Sequence, residues 1–348
     1  MKHSPFSDYL ETSTAQLQKA MYTALASWYH RSKALAPQNA SVLTQFSQSV
    51  FGGKCIRGTL VQLGYEAASE KSSAAILQPA AAFEILHAGL LIHDDIIDKS
   101  PLRRGRLSVY TQLGGTHYGI SQALCLGDAG FFLAYSLLSG SNFPSSRKNK
   151  ALQTFSEIVS DTILGEMLDV ELATKKDFSL PEEEILHIHR LKTARYTFVG
   201  PLLVGAILGG ASASLLRKLS VFGEALGIAF QLQDDILGIF GDERKIGKSV
   251  TSDIAEGKVT LLAQYAFVHA SSSQKAFLMK HYGKATVSTI SCQKIKKAFV
   301  DTGSYKYSVD KINKYHALAK EIVSSFPIQS RFKAIFIDLC KVIASRNK

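Results

Sequence analysis

Two acidic strings interrupt stretches that are otherwise apolar: Asp94, Asp95 and Asp98 in LIHDDIIDKS, and Asp234 and Asp235 in FQLQDDILGIFGD. On a helix, residues four apart share a face with Cβ atoms about 5–6 Å apart, so Asp94 stacks with Asp98. Like charges so placed repel, and beside Leu90, Leu91, Ile92, Ile96 and Ile97 they are costly unless a cation compensates them. A hard divalent cation with oxygen ligands, Mg2+ above all, is the natural partner. An isolated D-D-x-x-D string is ordinary on a solvated helix face. Here both strings lie in apolar runs and both are followed by basic residues. Two such strings imply one metal-rich site between two helices of a bundle.

The rest of the chain is helical in pattern. SDYLETSTAQLQKAMYTALASWYH repeats apolar residues every three or four positions, with Ser7 or Asp8 near its start. FSLPEEEILHIHR predicts a capping box, with Ser179 as N-cap and Glu182 three residues on. Loop signals are few, and alternating β-branched strands are absent. The fold class is all-α, a large helical bundle. Glycine and proline are not enriched and no long low-complexity segment intervenes, so residues 1–348 read as one domain.

Composition narrows the function. The net charge of +11 suits nucleic acid, an anionic membrane or a phosphorylated substrate. Much of the excess lies in the last quarter, where lysines alternate with apolar residues at helical spacing, as on solvated faces of amphipathic helices. No basic-aromatic nucleic-acid motif stands out. Cys55, Cys125, Cys292 and Cys340 are far apart and form no C-x-x-C pair, reading as reduced thiols. The N-terminal MKHSPFSDYLETS has no apolar signal core, and a cytoplasmic location is expected. Residues 198–216, FVGPLLVGAILGGASASLL, are uncharged and the one stretch that meets the length of a bilayer span cleanly. Their glycines, Pro201 and small residues suit a helix packed inside a bundle, and no stable membrane insertion is expected.

Cations and donors accompany the acids: Lys54 and Arg57 in GGKCIRG, Arg103 and Arg104 in PLRRGR, Lys192 before Thr193 in LKTARYTF, and Lys248 and Lys258 after the second string. Carboxylates and cations in such numbers suit a polyanion held through bridging metal, which points to a diphosphate. No G-x-x-x-x-G-K-[ST] loop is present, so a nucleotide is not the expected carrier. What remains is a diphosphate attached to something apolar, since Leu, Ile, Phe and Ala line the acid-bearing helices. His87 alone would read as a satisfied core histidine. Its place seven residues, two helical turns, before Asp94 puts it on the same face. His187 and His189 point to opposing sides and carry no metal reading.

From about Gly52 to Leu262 the chain resembles the trans-type isoprenyl diphosphate synthases, and closely the short-chain members that make farnesyl or geranylgeranyl diphosphate. The motifs run in the family's order: GGKCIRG, EILHAGLLIHDDIID, LRRG, ISQALCLGD, LKTARYTF, FQLQDDILGIFGD and GKSVTSDIAEGKVTLL. The resemblance implies an isoprenoid-synthase bundle with a central cavity, a motif-bearing core over about residues 50–265, a homodimer, and Mg2+, three ions once substrate is bound. It implies that Asp94 and Asp98, helped by Asp95, and Asp234 with Asp235 nearby, hold metal bridged to an allylic diphosphate: dimethylallyl, geranyl or farnesyl. Arg103, Lys192 and Lys258, with Lys248 and Gln231, contact that diphosphate. Lys54, Arg57, His87 and Arg104 grip isopentenyl diphosphate. Thr193 and Gln231 stabilise the developing allylic cation, and departing pyrophosphate takes the proton.

The chain departs from the family at a few positions. Cys55 stands where Arg is frequent, Gly58 where Pro is usual, Ser249 and Thr251 for Pro and Gly, and Glu166 for Gln. Asp128 reads as structural; Asp169 and Glu171 are left without a role. Residues four and five positions before the first acidic motif, Leu90 and Gly89, form part of the cavity floor in the family. Five residues span about 7.5 Å of helix, and a glycine there is expected to leave room for a growing tail, so geranylgeranyl diphosphate is the first expectation, ahead of farnesyl or longer products. A class I terpene cyclase would need a different second motif, and a noncatalytic subunit would be expected to lose one acidic string.

Overall fold

The structure is a computed structural model that describes residues 3–241, 252–284 and 286–345. Most described residues are helical, and the strands among them form a single two-stranded hairpin. The chain divides into two compact units. The first comprises Met1–Ser156, Gly200–Ser220 and Phe326–Leu339; the second comprises Glu157–Val199, Val221–Ser325 and Cys340–Lys348.

In the first unit, α1 (Pro5–Leu35) buries a stripe of Phe6, Leu10, Leu17, Met21 and Leu25. Pro5 at its first turn needs no N–H there, and Ser4 Oγ and the Phe6 N–H both donate to Asp338. The helix starts two residues before the Ser7 expected from sequence. After α2 (Ala40–Ser49) come α3 (Ile56–Ser69) and α4 (Leu77–Ile97), which carries the first acidic string. Lys99, with φ 52°, turns the chain out of α4; the Ser100 N–H returns to the Asp95 carbonyl at 2.8 Å, and Pro101 forbids continuation. Leu102–Arg103 then pairs antiparallel with Arg106–Leu107. Arg104 and Gly105, both at positive φ, make the tight turn between them. A short helix, α5 (Val109–Gln112), leads to α6 (His117–Ser139).

Glycine decides how these helices meet. A Cβ on Gly89 of α4 would lie 2.9 Å from the Gly127 carbonyl of α6. Between α3 and α9 (Gly200–Gly209) the backbones touch: a Cβ on Gly205 would lie 2.0 Å from the Val61 carbonyl, and one on Gly64 2.4 Å from that of Leu202. The small residues of 198–216 therefore serve close packing. That stretch is not one helix, because Gly210 at φ 85° breaks it. Among the described residues, the spans that are long and apolar enough to cross a membrane are Ala74–Ile97, mostly buried, and His117–Ser139.

The second unit contains α8 (Glu182–His189), a π-helical segment Arg190–Val199, and α11 (Ser252–Glu256) to α15 (Ser304–Ser324); α7 is Ser145–Lys175 and α10 is Ala213–Phe240. Its core gathers Ile185, Leu186, Ile228, Leu232, Ile239, Leu262 and Phe299, with Phe178 stacked on Phe267 at 3.8 Å between centroids. The capping box expected at Ser179 does not form. Pro181 is the N-cap of α8, and Ser179 donates both its N–H and its hydroxyl to Asp177. An Asx turn holds Ser179 in the loop, and the helix begins at Glu182, after Pro181.

Candidate active site

In the first unit, the last turns of α4 carry Asp94, Asp95 and Asp98, and the hairpin folds Arg103 back onto them. Arg103 Nη2 donates to Asp94 Oδ2 at 2.7 Å, and its Nε to Asp95 Oδ1 at 2.8 Å. Burial pushes the Asp95 carboxyl up to about 6, against the pull of Arg103 and with the push of Asp94 and Asp98. Burial also works against the Arg103 charge, but Asp94 and Asp95 outweigh it and hold the guanidinium charged.

Behind the acids lies a group of cations. Arg104 reaches the Phe51 carbonyl at 3.4 Å and rests against Gly53, so the hairpin turn and the GGK segment come together. Burial, then the charges of Arg57, Arg104 and Arg103, hold His87 far below the usual histidine range, keeping its ring neutral. Three guanidinium groups act on one imidazole, so Arg57, Arg103 and Arg104 lie near His87. Lys54 is exposed on the same GGK segment.

The second unit brings together a different set. Lys192, Thr193, Gln231, Asp235 and Lys258 line a cavity of about 20 Å³ with Asp169 and His189, room for about one water. Thr193 Oγ donates to Gln231 Oε1 at 2.6 Å, and Gln231 Nε2 donates to Asp235 Oδ1 at 2.8 Å. With Gln231 Nε2 turned to Asp235, its Oε1 faces Thr193, whose hydroxyl is the donor. Thr193 thus enters the cavity wall with its hydroxyl hydrogen already given to Gln231. Lys192 Nζ lies 2.8 Å from Glu166 and 2.6 Å from Asp169. Although burial opposes it, Lys192 and then Lys258 hold the Asp169 carboxyl below its usual range. The π-helical register of 190–199 carries both Lys192 and Thr193 to this wall.

Several positions depart from the sequence reading. Asp235 is turned inward, with 4% exposure, and accepts from Gln231 at the cavity wall. Gly89 opens no space: a Cβ there would also meet the Phe131 ring at 3.0 Å. Asp128 is exposed on α6, 3.6 Å from His93, and not in a buried setting. Lys248, Ser249 and Thr251 lie outside the described residues. Sequence reasoning missed His189, whose Nε2 is 3.2 Å from Asp235 Oδ2, gave Asp169 no role, and passed over Glu84. The Glu84 signal was available, three residues before His87 on one helical face.

Among the described residues, no three His, Cys, Asp or Glu side chains converge closely enough to cage a metal ion. Hard carboxylate oxygens in pairs, beside many cations, nonetheless fit Mg2+, which keeps waters and binds through one or two carboxylates plus substrate phosphate.

The comparisons agree with this inventory. Residues 40–299 match the polyprenyl synthetase family. A geranylgeranyl diphosphate synthase of Sulfolobus acidocaldarius is 32% identical, over 75% of this chain and 80% of that one. A (2E,6E)-farnesyl diphosphate synthase of Mycobacterium bovis is 31% identical, over 85% of this chain and 80% of that one. The crystal structure of a geranylgeranyl pyrophosphate synthase from Corynebacterium glutamicum, complexed with isoprenyl diphosphate and magnesium, superposes with a TM-score of 0.90 at 26% identity, covering 98% of this chain and 99% of that one. Fold and motifs define an all-α isoprenoid-synthase protein. The chain belongs to the polyprenyl synthetase family.

Proposed function

We propose that the protein is a Mg2+-dependent trans-prenyltransferase that condenses isopentenyl diphosphate with an allylic diphosphate to give an all-trans short-chain product, geranylgeranyl diphosphate first. The observation that carries this reading is the grouping of Arg57, His87, Arg103 and Arg104 beside the Asp94 and Asp95 carboxylates. A neutral His87 among guanidinium groups donates to a diphosphate without adding to their mutual repulsion. Bound through Asp94, Asp98 and Asp234, magnesium would supply charge neutralisation to the leaving diphosphate.

The chain's own residues do the rest. Lys54, Arg57, His87 and Arg104 hold isopentenyl diphosphate. Arg103, Lys192 and Lys258, with Lys248, hold the allylic diphosphate, an assignment that rests on the family motifs. Thr193 lines the cavity with its hydroxyl hydrogen given to Gln231, and so favours a developing cation. Positioning and electrostatics suffice, with no covalent enzyme intermediate. The partners are isopentenyl diphosphate and the dimethylallyl, geranyl and farnesyl diphosphates; a homodimer in the cytoplasm, each subunit a single synthase domain, completes the proposal.

A second reading, farnesyl diphosphate as product, is favoured by the Phe131 ring, which fills the space that Gly89 was expected to open. Incubation with Mg2+, isopentenyl diphosphate and each of the C5, C10 and C15 primers separates the two. A C20 product formed from the C15 primer supports the first reading, and arrest at C15 supports the second. Absence of condensation with every primer overturns both.

A further inference from the structure

Glu84 is a buried acid that the proposed chemistry does not use. It lies in α4 and is 6% exposed. Its Oε1 accepts the Gly58 N–H at 2.8 Å, and the Arg57 N–H also bonds the carboxyl. Both N–H groups belong to the first turn of α3, where the leading four have no partner within the helix. The residue before that turn, Cys55, is left-handed at φ 51° and its side chain makes no capping bond. The cap of α3 therefore comes from α4.

Two further observations tie this cap to the cations. The charges of Arg57 and Arg104 both act on the Glu84 carboxyl, so it sits under the group assigned to isopentenyl diphosphate. Position 58 is Gly, where the family's motif usually has Pro. Proline has no N–H to donate. A Cβ at Gly58 would lie 2.9 Å from the Ala80 carbonyl and from Leu17 Cδ1. This chain thus carries a flexible residue in the first turn of α3 and holds it by a hydrogen bond from outside the helix.

We propose that Glu84 is a positioning residue: by clamping the first turn of α3 to α4 it sets Arg57 and the GGK segment for the diphosphate of isopentenyl diphosphate. The inference rests on the function proposed above. The clamp as the geometry gives it is a hydrogen bond to a side-chain oxygen. Glutamine keeps that oxygen, and alanine removes it.

The test compares wild type, Glu84→Ala and Glu84→Gln in steady-state condensation. Glu84→Ala is expected to raise KM for isopentenyl diphosphate about tenfold, from one lost buried hydrogen-bond partner, with kcat and KM for the allylic diphosphate within about threefold. Glu84→Gln is expected to stay within about threefold of wild type in all parameters. Equal change in both KM values, or a loss confined to kcat and melting temperature, overturns the proposal. If Glu84→Ala is insoluble, Glu84→Asp, one methylene short of the Gly58 N–H, is judged by the same criteria. Absent turnover by wild type would instead count against the proposed activity. The clamp is then read by calorimetry with inorganic pyrophosphate, where Glu84→Ala but not Glu84→Gln weakens binding about tenfold, and equal affinities overturn it.

Discussion

Gly89→Phe separates two accounts of the same position. If the glycine opens a floor for the growing tail, a phenyl ring there fits and shortens the product. The structure predicts otherwise. The first added carbon alone would lie 2.9 Å from the Gly127 carbonyl oxygen and 3.0 Å from two carbons of the Phe131 ring. Ordinary contact begins at 3.4 Å, so α4 and α6 must part by a few tenths of an ångström. Overpacking of this kind costs about 1–3 kcal/mol, against about 1 kcal/mol regained when alanine replaces glycine in a helix. Gly89→Ala should therefore lose roughly 0–2 kcal/mol, and Gly89→Phe more than about 3 kcal/mol, since a whole ring must be housed. Urea unfolding reads this as a lower midpoint at unchanged slope. In the pair Gly89→Ala/Phe131→Ala the ring contact disappears while the carbonyl contact stays, so the losses should fall short of additive by about 0.5–2 kcal/mol. Phe131→Ala alone should lengthen the product if its ring closes the path. A Gly89→Phe protein with wild-type stability and a shorter product would refute the reasoning.

Other predictions follow from single contacts. Glu166→Gln leaves Asp169 as the carboxylate beside Lys192; with less of its charge neutralised, Lys192 should lower KM for the allylic diphosphate about two- to tenfold in steady-state assays. Thr193→Val removes the hydroxyl that Gln231 orients, and kcat should fall about tenfold or more with both KM values little changed, as for an interaction made in the transition state. Among the described residues His316 is buried without a hydrogen-bond partner for either ring nitrogen, and burial, then Lys320, holds it down at about 4. Its folded value is below the unfolded value of about 6.5, so the unfolded chain binds the extra proton and stability falls as pH drops from about 6.5 toward 4; the loss should reach about 2 kcal/mol at pH 5. His316→Leu should flatten that dependence in urea titrations and, with no orphaned polar atoms left, stabilise by about 1 kcal/mol.

How much of this was legible beforehand depended on the range of the signal. Helix class and the acidic strings rest on local periodicity, and helical phase sets His87 on the face of Asp94; the approach of Arg103 to Asp94 and Asp95 depends on the hairpin that follows the helix. Two kinds of information were not local. The direction of the Gly89 Cβ depends on where α6 runs, and a one-dimensional reading saw only a small residue where a large one was the alternative. Asp235 and His189 are joined by tertiary packing across α10 and α8, and spacing along either helix could not reveal it. The failed cap at Ser179 is a third case: the helix begins at Glu182 after Pro181, while Asp177, two residues upstream of Ser179, draws it into an Asx turn. The uncharged 198–216 stretch looked like a bilayer span because hydropathy counts side chains and ignores backbone approach. Val61 and Leu202 carbonyls against glycine are what those small residues accommodate.

The central claim is metal-dependent condensation by this chain. Purified protein with isopentenyl diphosphate and the C15 allylic primer, assayed by product chain length with Mg2+ and again with excess EDTA, tests it most directly. The account predicts a C20 prenyl diphosphate with Mg2+ and none with EDTA. No condensation in the presence of Mg2+, or equal yield without metal, would contradict it.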